Sequence, residues 1–322
     1  MTLFEGLKLF PKVDLHIDFF GSITKETIME LTKNTLTEEK IDEIVDFSSL
    51  KDYDKYKELT IKLLTSLEKI EFSLTNLITK LKSDNLIYGE LFVNLDLFCD
   101  KLNKKDIIKT ILNVIKKSDI KLNVVLEIDS NLETDKLYLN LDILYEWYKK
   151  GISGVYFKKN KQENFDSYIA LFDKFIKEDI DYIVLLDSKI TNQNKEIYYN
   201  AKRIIYNLME VNLNLLTIIK ENNIILEFPI TYQNYFNLYD NLKNHFIYSL
   251  YKENILIAPT TIDMTIMDTD LLNEYCKLFN VFPFNLHDLV TINLNILNNI
   301  NISLDIKNDL INEFKEKANE LL

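Results

Sequence analysis

The sequence predicts an α/β chain folded as a parallel (β/α)8 barrel, with a helical insertion after the first strand and extra helices at the C-terminal end. Three observations predict it. Short β-branched runs alternate with amphipathic helical runs along the whole length, the pattern of parallel β/α architecture. The strand-like runs number eight, which is the count that closes a barrel. No Pro/Gly/Ser-rich linker interrupts the 322 residues, which hold four prolines and five glycines, so one domain spanning 1–322 is the simpler reading.

In chain order the expected strands are KVDLHIDFF (12–20), LIYGELFVN (86–94), KLNVVLEID (121–129), GISGVYFKK (151–159), IDYIVLLDS (180–188), RIIYNLM (203–209), IILEFPI (224–230) and ILIAPTT (255–261). In the first, Val13, Leu15 and Ile17 alternate with Asp14, His16 and Asp18, which places His16 and Asp18 on the same side of the strand. Some sixty-five residues separate the first two strands, far more than one crossover helix requires. Residues 24–50 read as small helices laid over one barrel face. From Tyr56 the apolar positions Leu59, Leu63, Leu67, Ile70, Leu74, Leu77 and Leu81 recur every three or four residues, predicting one long helix that ends near KSDN (82–85). Beyond the eighth strand, TDLLNEYCKLF, FNLHDLVTINLNIL and SLDIKNDLINEFKEKANELL predict three more helices.

Composition narrows the function classes. A formal charge of −12 without a dense Lys/Arg patch repels phosphate backbones, which argues against nucleic-acid binding. Cys99 and Cys276 are too few and too far apart for a disulfide framework or a thiolate metal site, and read as reduced packing residues. The N-terminus MTLFEGLKLF lacks a basic region followed by a sustained apolar stretch, and no window reaches about 18 uncharged apolar residues, so the expectation is a cytoplasmic protein without a membrane span. Oligomeric state is left open. Of three histidines, His16 lies in the first strand, while His245 and His287 read as surface or half-buried residues.

The opening FPKVDLHIDFFGSI resembles the first strand of adenosine deaminases and their relatives in the amidohydrolase superfamily, which show Pro-Lys-Val-(Asp/Glu)-Leu-His-x-His-Leu-Asp-Gly-(Ser/Ala). The helical stretch from Asp52 into IYGELFVN is similar to the family's long helix and its Tyr-Ala-Glu-(Val/Leu)-Arg-(Phe/Tyr) strand. ILEFPITYQ and the following His245 to Asp263 stretch are similar to its Cys-Pro-x-Ser-Asn, His-Pro and Thr-Asp-Asp-Pro segments. The resemblance covers nearly the whole chain and implies a TIM barrel with its site at the C-terminal strand ends.

Members of this family hold a metal that ionises water, using two first-strand histidines, a fifth-strand histidine and an eighth-strand aspartate, beside a catalytic glutamate. By that resemblance His16 matches the first ligand and Asp18 replaces the second. The fifth-strand His-Ala-Gly-Glu falls on LDSK, putting Leu186 at the third histidine and Lys189 at the glutamate. In the sixth strand Tyr206 replaces the histidine that orients water. At the eighth, Ile262 and Asp263 stand at the Asp-Asp pair, and a one-residue slip would let Asp263 serve as the ligand. Phe20 and Tyr156 replace purine-holding aspartates, whereas Gly21 and Glu90 match.

The candidate pocket residues are therefore His16, Asp18, Phe20, Glu90, Tyr156, Asp187, Lys189, Tyr206 and Asp263, with no catalytic residue assigned. The leading reading is a catalytically inactive or strongly impaired adenosine-deaminase-like protein without a cofactor, retaining a nucleoside-like small-molecule pocket made more aromatic by Phe20, Tyr156 and Tyr206. A buried Lys189 requires a carboxylate partner, for which Asp18 is the candidate. The alternative is an active purine-nucleoside deaminase with a rearranged site: His16, Asp18 and Asp263, with or without Asp187, holding zinc or a harder ion such as magnesium, manganese or iron. Two further readings stay open: different acid/base chemistry through Lys189, Tyr206 and Asp187, and a protein that recognises a macromolecule through its outer helices.

Overall fold

The structure is a computed structural model that describes residues 2–45, 50–158, 168–187, 190–191, 194–208, 213–236 and 238–321. Eight strands, β1 (Lys12–Asp18), β2 (Leu86–Asn94), β3 (Lys121–Asp129), β4 (Ile152–Lys158), β5 (Tyr182–Leu186), β6 (Arg203–Tyr206), β7 (Ile225–Phe228) and β8 (Ile257–Pro259), pair in parallel in sequence order. The ring closes just past β8. There Ile262 donates to the His16 carbonyl and accepts from the Asp18 amide, both at 2.8 Å. Each strand lies inside its expected run, and β5 to β8 end earlier than periodicity suggests because the chain turns into the mouth of the barrel.

Strand alternation divides the core into two shells. Phe92, Val125, Tyr156, Ile183 and Ile205, with Leu185 beside them, fill the barrel interior. Leu126, Val155, Val184, Ile204 and Leu226 point outward to the surrounding helices. The outward faces are thus apolar in the main, while the inward faces mix apolar side chains with buried polar ones such as His16 and Asp18 on β1, Glu90 on β2, Arg203 on β6 and Glu227 on β7.

Before β1 comes α1 (Leu3–Leu9), opened by a reciprocal cap between Thr2 and Glu5. The insertion after β1 comprises α2 (Lys25–Leu31), α3 (Glu38–Val45), α4 (Leu50–Leu63) and α5 (Leu67–Ser83). The single long helix expected from Tyr56 to Ser83 is therefore two. Its apolar spacing holds across the break, but Ser66 leaves the helix in an extended conformation and its side chain accepts the Lys69 amide, starting a new helix. The remaining strands alternate with α6 (Lys104–Lys117), α7 (Thr134–Trp147), α8 (Ile169–Lys177), α9 (Lys195–Tyr199), α10 (Leu213–Glu221), α11 (Ile230–Tyr235) and α12 (Ile247–Lys252). The three expected C-terminal helices are α13 (Leu271–Val281), α14 (Leu286–Asn299) and α15 (Leu304–Asn319). Among the described residues no helix is long and apolar enough to cross a membrane.

Candidate functional site at the barrel mouth

The first strand is irregular where it matters. Pairing with β2 passes from Asp14–Gly89 to Ile17–Leu91, so β1 carries an extra residue, and the His16 amide donates to Asp14 Oδ1 at 3.0 Å. Asp14 also accepts from Thr261 Oγ1 at 2.7 Å. Burial beneath the β1–β8 seam pushes its carboxyl up to about 7. The bulge keeps both His16 and Asp18 facing the interior, as alternation alone predicts, but at different depths with different partners.

His16 lies in the middle layer. Its Nδ1 is 2.9 Å from Glu227 Oε2, and its ring stacks on Phe92 at 3.6 Å between centroids, with the Tyr156 ring 6.1 Å away. Beneath it, Arg203 divides its guanidinium between Glu90, at 2.5 Å, and Glu227, at 3.2 Å, and donates to the Leu15 carbonyl at 2.9 Å. Glu90 accepts further from Tyr88 at 2.7 Å. These charged groups lie in buried strand positions, and each is held by the others together with the Tyr88 hydroxyl, the Leu15 carbonyl and the His16 ring.

The upper layer is built around Lys57, which reaches in from α4. Its ammonium is 3.1 Å from Asp18 Oδ2 and 2.8 Å from Asp263 Oδ1, and Tyr53, one helical turn earlier, donates to Asp263 Oδ2. The Gly21 amide donates to Asp18 Oδ1 at 2.7 Å. Burial pulls the Lys57 pKa down, but Asp18 and Asp263 more than offset it, and the group is held well above the ordinary lysine value. One ammonium cannot neutralise two carboxylates fully. Burial raises both, yet for Asp18, which retains some exposure, Lys57 and the Gly21 amide prevail and the carboxyl falls below its ordinary value. For the fully enclosed Asp263, burial and the neighbouring Asp18 charge prevail and raise it. Next to them, Lys158 pairs with Glu127 at 3.0 Å, its pKa raised by that carboxylate.

Two backbone features aim Asp263. Ile262 takes a left-handed conformation, φ 59°, an outlier for a β-branched residue that its two hydrogen bonds to β1 maintain. Gly21 packs so closely that a Cβ there would lie 1.8 Å from Asp263 Oδ1, so this match to the family pattern makes room for the carboxylate. Over the cluster, Tyr53, Tyr232 and Phe236 contact one another, at 5.5 Å for Tyr53–Phe236 and 4.4 Å for Tyr232–Phe236.

The other expected site residues are placed as follows. Tyr156 belongs to the barrel interior, whereas Tyr206 is turned outward against Phe228 and Phe246 because it follows the inward Ile205. Phe20 is buried with Phe19 and Phe98, so two of the three aromatics expected to line a pocket pack into the surrounding core instead. Glu90 sits at the lower end of the barrel, bound to Arg203. Asp187 follows β5, whose last residue Leu186 faces the outer shell. Lys189, and with it the expected Asp18–Lys189 pair, lies outside the described residues. His245 corrects an expectation: it is buried, accepting the Ile247 amide at Nδ1 and meeting Gln233 at Nε2, and burial pulls its pKa down to about 3. His287 is exposed, as expected, and Cys99 and Cys276 are free and half-buried.

Sequence reasoning missed Lys57, Glu227 and Arg203. The latter two carry a legible signal, since a charge inside a buried strand run such as RIIY or ILEF demands an opposite charge nearby. Lys57 carries none, being one of several lysines on a charged helix.

The zinc-binding set implied by the resemblance was three imidazoles and a carboxylate, and the side chains present do not fit it. His16 commits Nδ1 to Glu227, Asp18 and Asp263 converge on an ammonium, and Leu186 turns away from the interior. Among the described residues no three His, Cys, Asp or Glu side chains come together as a metal-binding group.

Comparisons with known proteins set this geometry in a lineage. An adenosine deaminase from Clostridium perfringens is 24% identical over 308 residues, covering 88% of this chain and 92% of that protein. Arabidopsis ADAL, solved in complex with IMP, superposes with a TM-score of 0.86 at 16% identity over 99% of this chain and 100% of that one. An amidohydrolase from Burkholderia ambifaria with bound zinc superposes at 0.84 and 16% identity, over 100% and 95% of the two chains. At such identities the structures speak to the shared barrel alone. The sequence model of the adenosine deaminase family, however, matches residues 11–317, from the first strand to the last helix, and on that continuous match this chain belongs to the adenosine deaminase family.

Proposed function

We propose that this chain is a catalytically inactive or strongly impaired member of its family that keeps a site for a purine-like small molecule at the barrel mouth. The observation that carries the reading is the Lys57 ammonium seated between Asp18 and Asp263. Hydrolytic deamination requires an ionised water, and ionising water near neutral pH takes a Lewis acid held by several donors. A lysine that engages both upper carboxylates occupies them as donors and puts a positive charge where a second cation would be repelled.

The ligand side of the reading rests on the rim. Tyr53, Tyr232 and Phe236 offer aromatic faces, and the half-exposed Lys158 offers a cation beside them, a combination suited to a planar base carrying an anionic or hydroxylated group. The IMP seen in the Arabidopsis relative has that chemistry.

The test uses purified full-length protein, without added metal and with added zinc or manganese. Adenosine and AMP absorbance should stay constant, and melting temperature should rise with inosine, adenosine or IMP and not with ribose 5-phosphate. Loss of adenosine absorbance accompanied by near-stoichiometric zinc, manganese or iron would replace this reading with the active, rearranged deaminase. No shift with any purine would remove the pocket and leave recognition of a macromolecule through the outer helices.

A further inference from the structure

We propose that Lys57 is an internal organic cation that performs the structural duty a bound metal would otherwise perform, tying the eighth-strand carboxylate to the first strand and fastening α4 across the barrel mouth. The inference deepens the reading above and rests on the same cluster, but it concerns how the fold is held together and not turnover.

Three observations carry it. The ammonium bridges Asp18, at the end of β1, and Asp263, just beyond β8, at 3.1 and 2.8 Å, so it spans the seam where the barrel closes. β1 and β8 share no strand ladder: among the described residues the seam is closed past the end of β8 by the Ile17–Ile262 bridge, with Ile262 in a left-handed conformation, and by hydrogen bonds between the 261–266 turn and Asp14, His16, Asp18, Gly21 and Ser22, so the side-chain tie joins a seam made by a turn and not by a paired strand. Finally, α4 contributes two groups to the same carboxylate, Lys57 and Tyr53, spaced to project from one face of the helix. A divalent ion at this place would join the two strands through the same oxygens, but it could not attach α4. The lysine does both, and it is supplied by the chain itself.

Removing the ammonium leaves two facing carboxylates in an enclosed site, which is a cost to the fold and also a donor pair for a hard divalent ion. The experiment therefore compares wild type, Lys57→Met and the double variant Lys57→Met/Asp18→Asn, each full length, by melting temperature and metal content in EDTA and in manganese or zinc chloride. Wild type should melt alike in EDTA and in metal and carry no stoichiometric ion. Lys57→Met should melt lower in EDTA by roughly 5–10 °C, and recover part of that loss saturably as about one equivalent of metal binds. The double variant should melt above Lys57→Met in EDTA and lose the metal response. If Lys57→Met is insoluble, soluble expression of the double variant supports the proposal, and equal failure of both overturns it. It is also overturned if wild type loses melting temperature on chelation, or if Lys57→Met melts as wild type does in EDTA. The two readings fail separately: turnover by a wild type that carries no stoichiometric metal would refute the proposed function and leave this inference standing, an unchanged melting temperature for Lys57→Met in EDTA would overturn this inference and leave the proposed function standing, and a wild type loaded with metal would overturn both.

Discussion

Arg203 shows how a single residue organises the interior. Its guanidinium meets Glu90 on β2 and Glu227 on β7, and Glu227 also lies within hydrogen-bond distance of His16 Nδ1, so side chains from four strands form one buried polar set. Replacing one partner of such a buried set exposes the others to an uncompensated desolvation cost. Arg203→Met is expected to lose about 3–5 kcal/mol of unfolding free energy, measurable by denaturant titration, with Glu90 and Glu227 left facing each other. A loss below about 1 kcal/mol would mean that the network is hydrated and not buried. Both acids and the arginine are readable as a problem from sequence, because each interrupts an apolar strand. Which partner solves it is decided by the barrel: Glu227 reaches Arg203 from the next strand, whereas Glu90 on β2 is far from β6 in the chain and meets it only when the ring closes.

At the scale of elements, the α4–α5 break positions the cluster at the mouth. Periodicity carries an apolar stripe straight through residues 56–83, so the stripe alone predicts one rod. The structure ends α4 at Leu63 and restarts at Leu67, with Ser66 as the cap. The Ser66 hydroxyl accepts the Lys69 amide, and Leu67–Ser83 packs against β2 and α6 while Leu50–Leu63 swings across the mouth to deliver Tyr53 and Lys57. Ser66→Ala is expected to cost about 1 kcal/mol, a fall of roughly 2 °C in melting temperature for a chain this size. Helix content by circular dichroism should be almost unchanged. If the two helices instead merged in the variant, circular dichroism would rise and the melting temperature would not fall.

For the molecule as a whole, acid should act through His245. It is held neutral by burial between Gln233 and the Ile247 amide, with a folded-state pKa of about 3 against 6.5 when exposed. A depressed value means that the unfolded chain binds the proton first, so this contribution is complete above about pH 6.5 and is lost as pH falls towards 3. The stability difference between wild type and His245→Asn should therefore narrow on acidification from pH 7 to pH 4, by up to about 1.4 kcal/mol per pH unit. A difference that stays constant over that range would show that the imidazole is solvated. The sequence misleads here because a lone histidine before a short helix looks like a surface residue, while α11, α12 and α13 enclose it only after β7 and β8 are paired.

By itself the sequence determined the eight-strand alternation, the order of the strands, the helical insertion after the first and the three closing helices, because those follow from the local period of apolar side chains. It also determined the lineage, and that imidazole is scarce where a metal-dependent member of the family needs it. Only the tertiary structure decided the depth and direction of each strand-end side chain: Tyr206 and Leu186 outward, Phe20 into the surrounding core, and Asp263 onto Lys57. A one-residue change of bulge or turn reverses the face a side chain occupies. An ammonium on a charged helix meets two carboxylates from the opposite ends of the barrel sheet only when that sheet has closed.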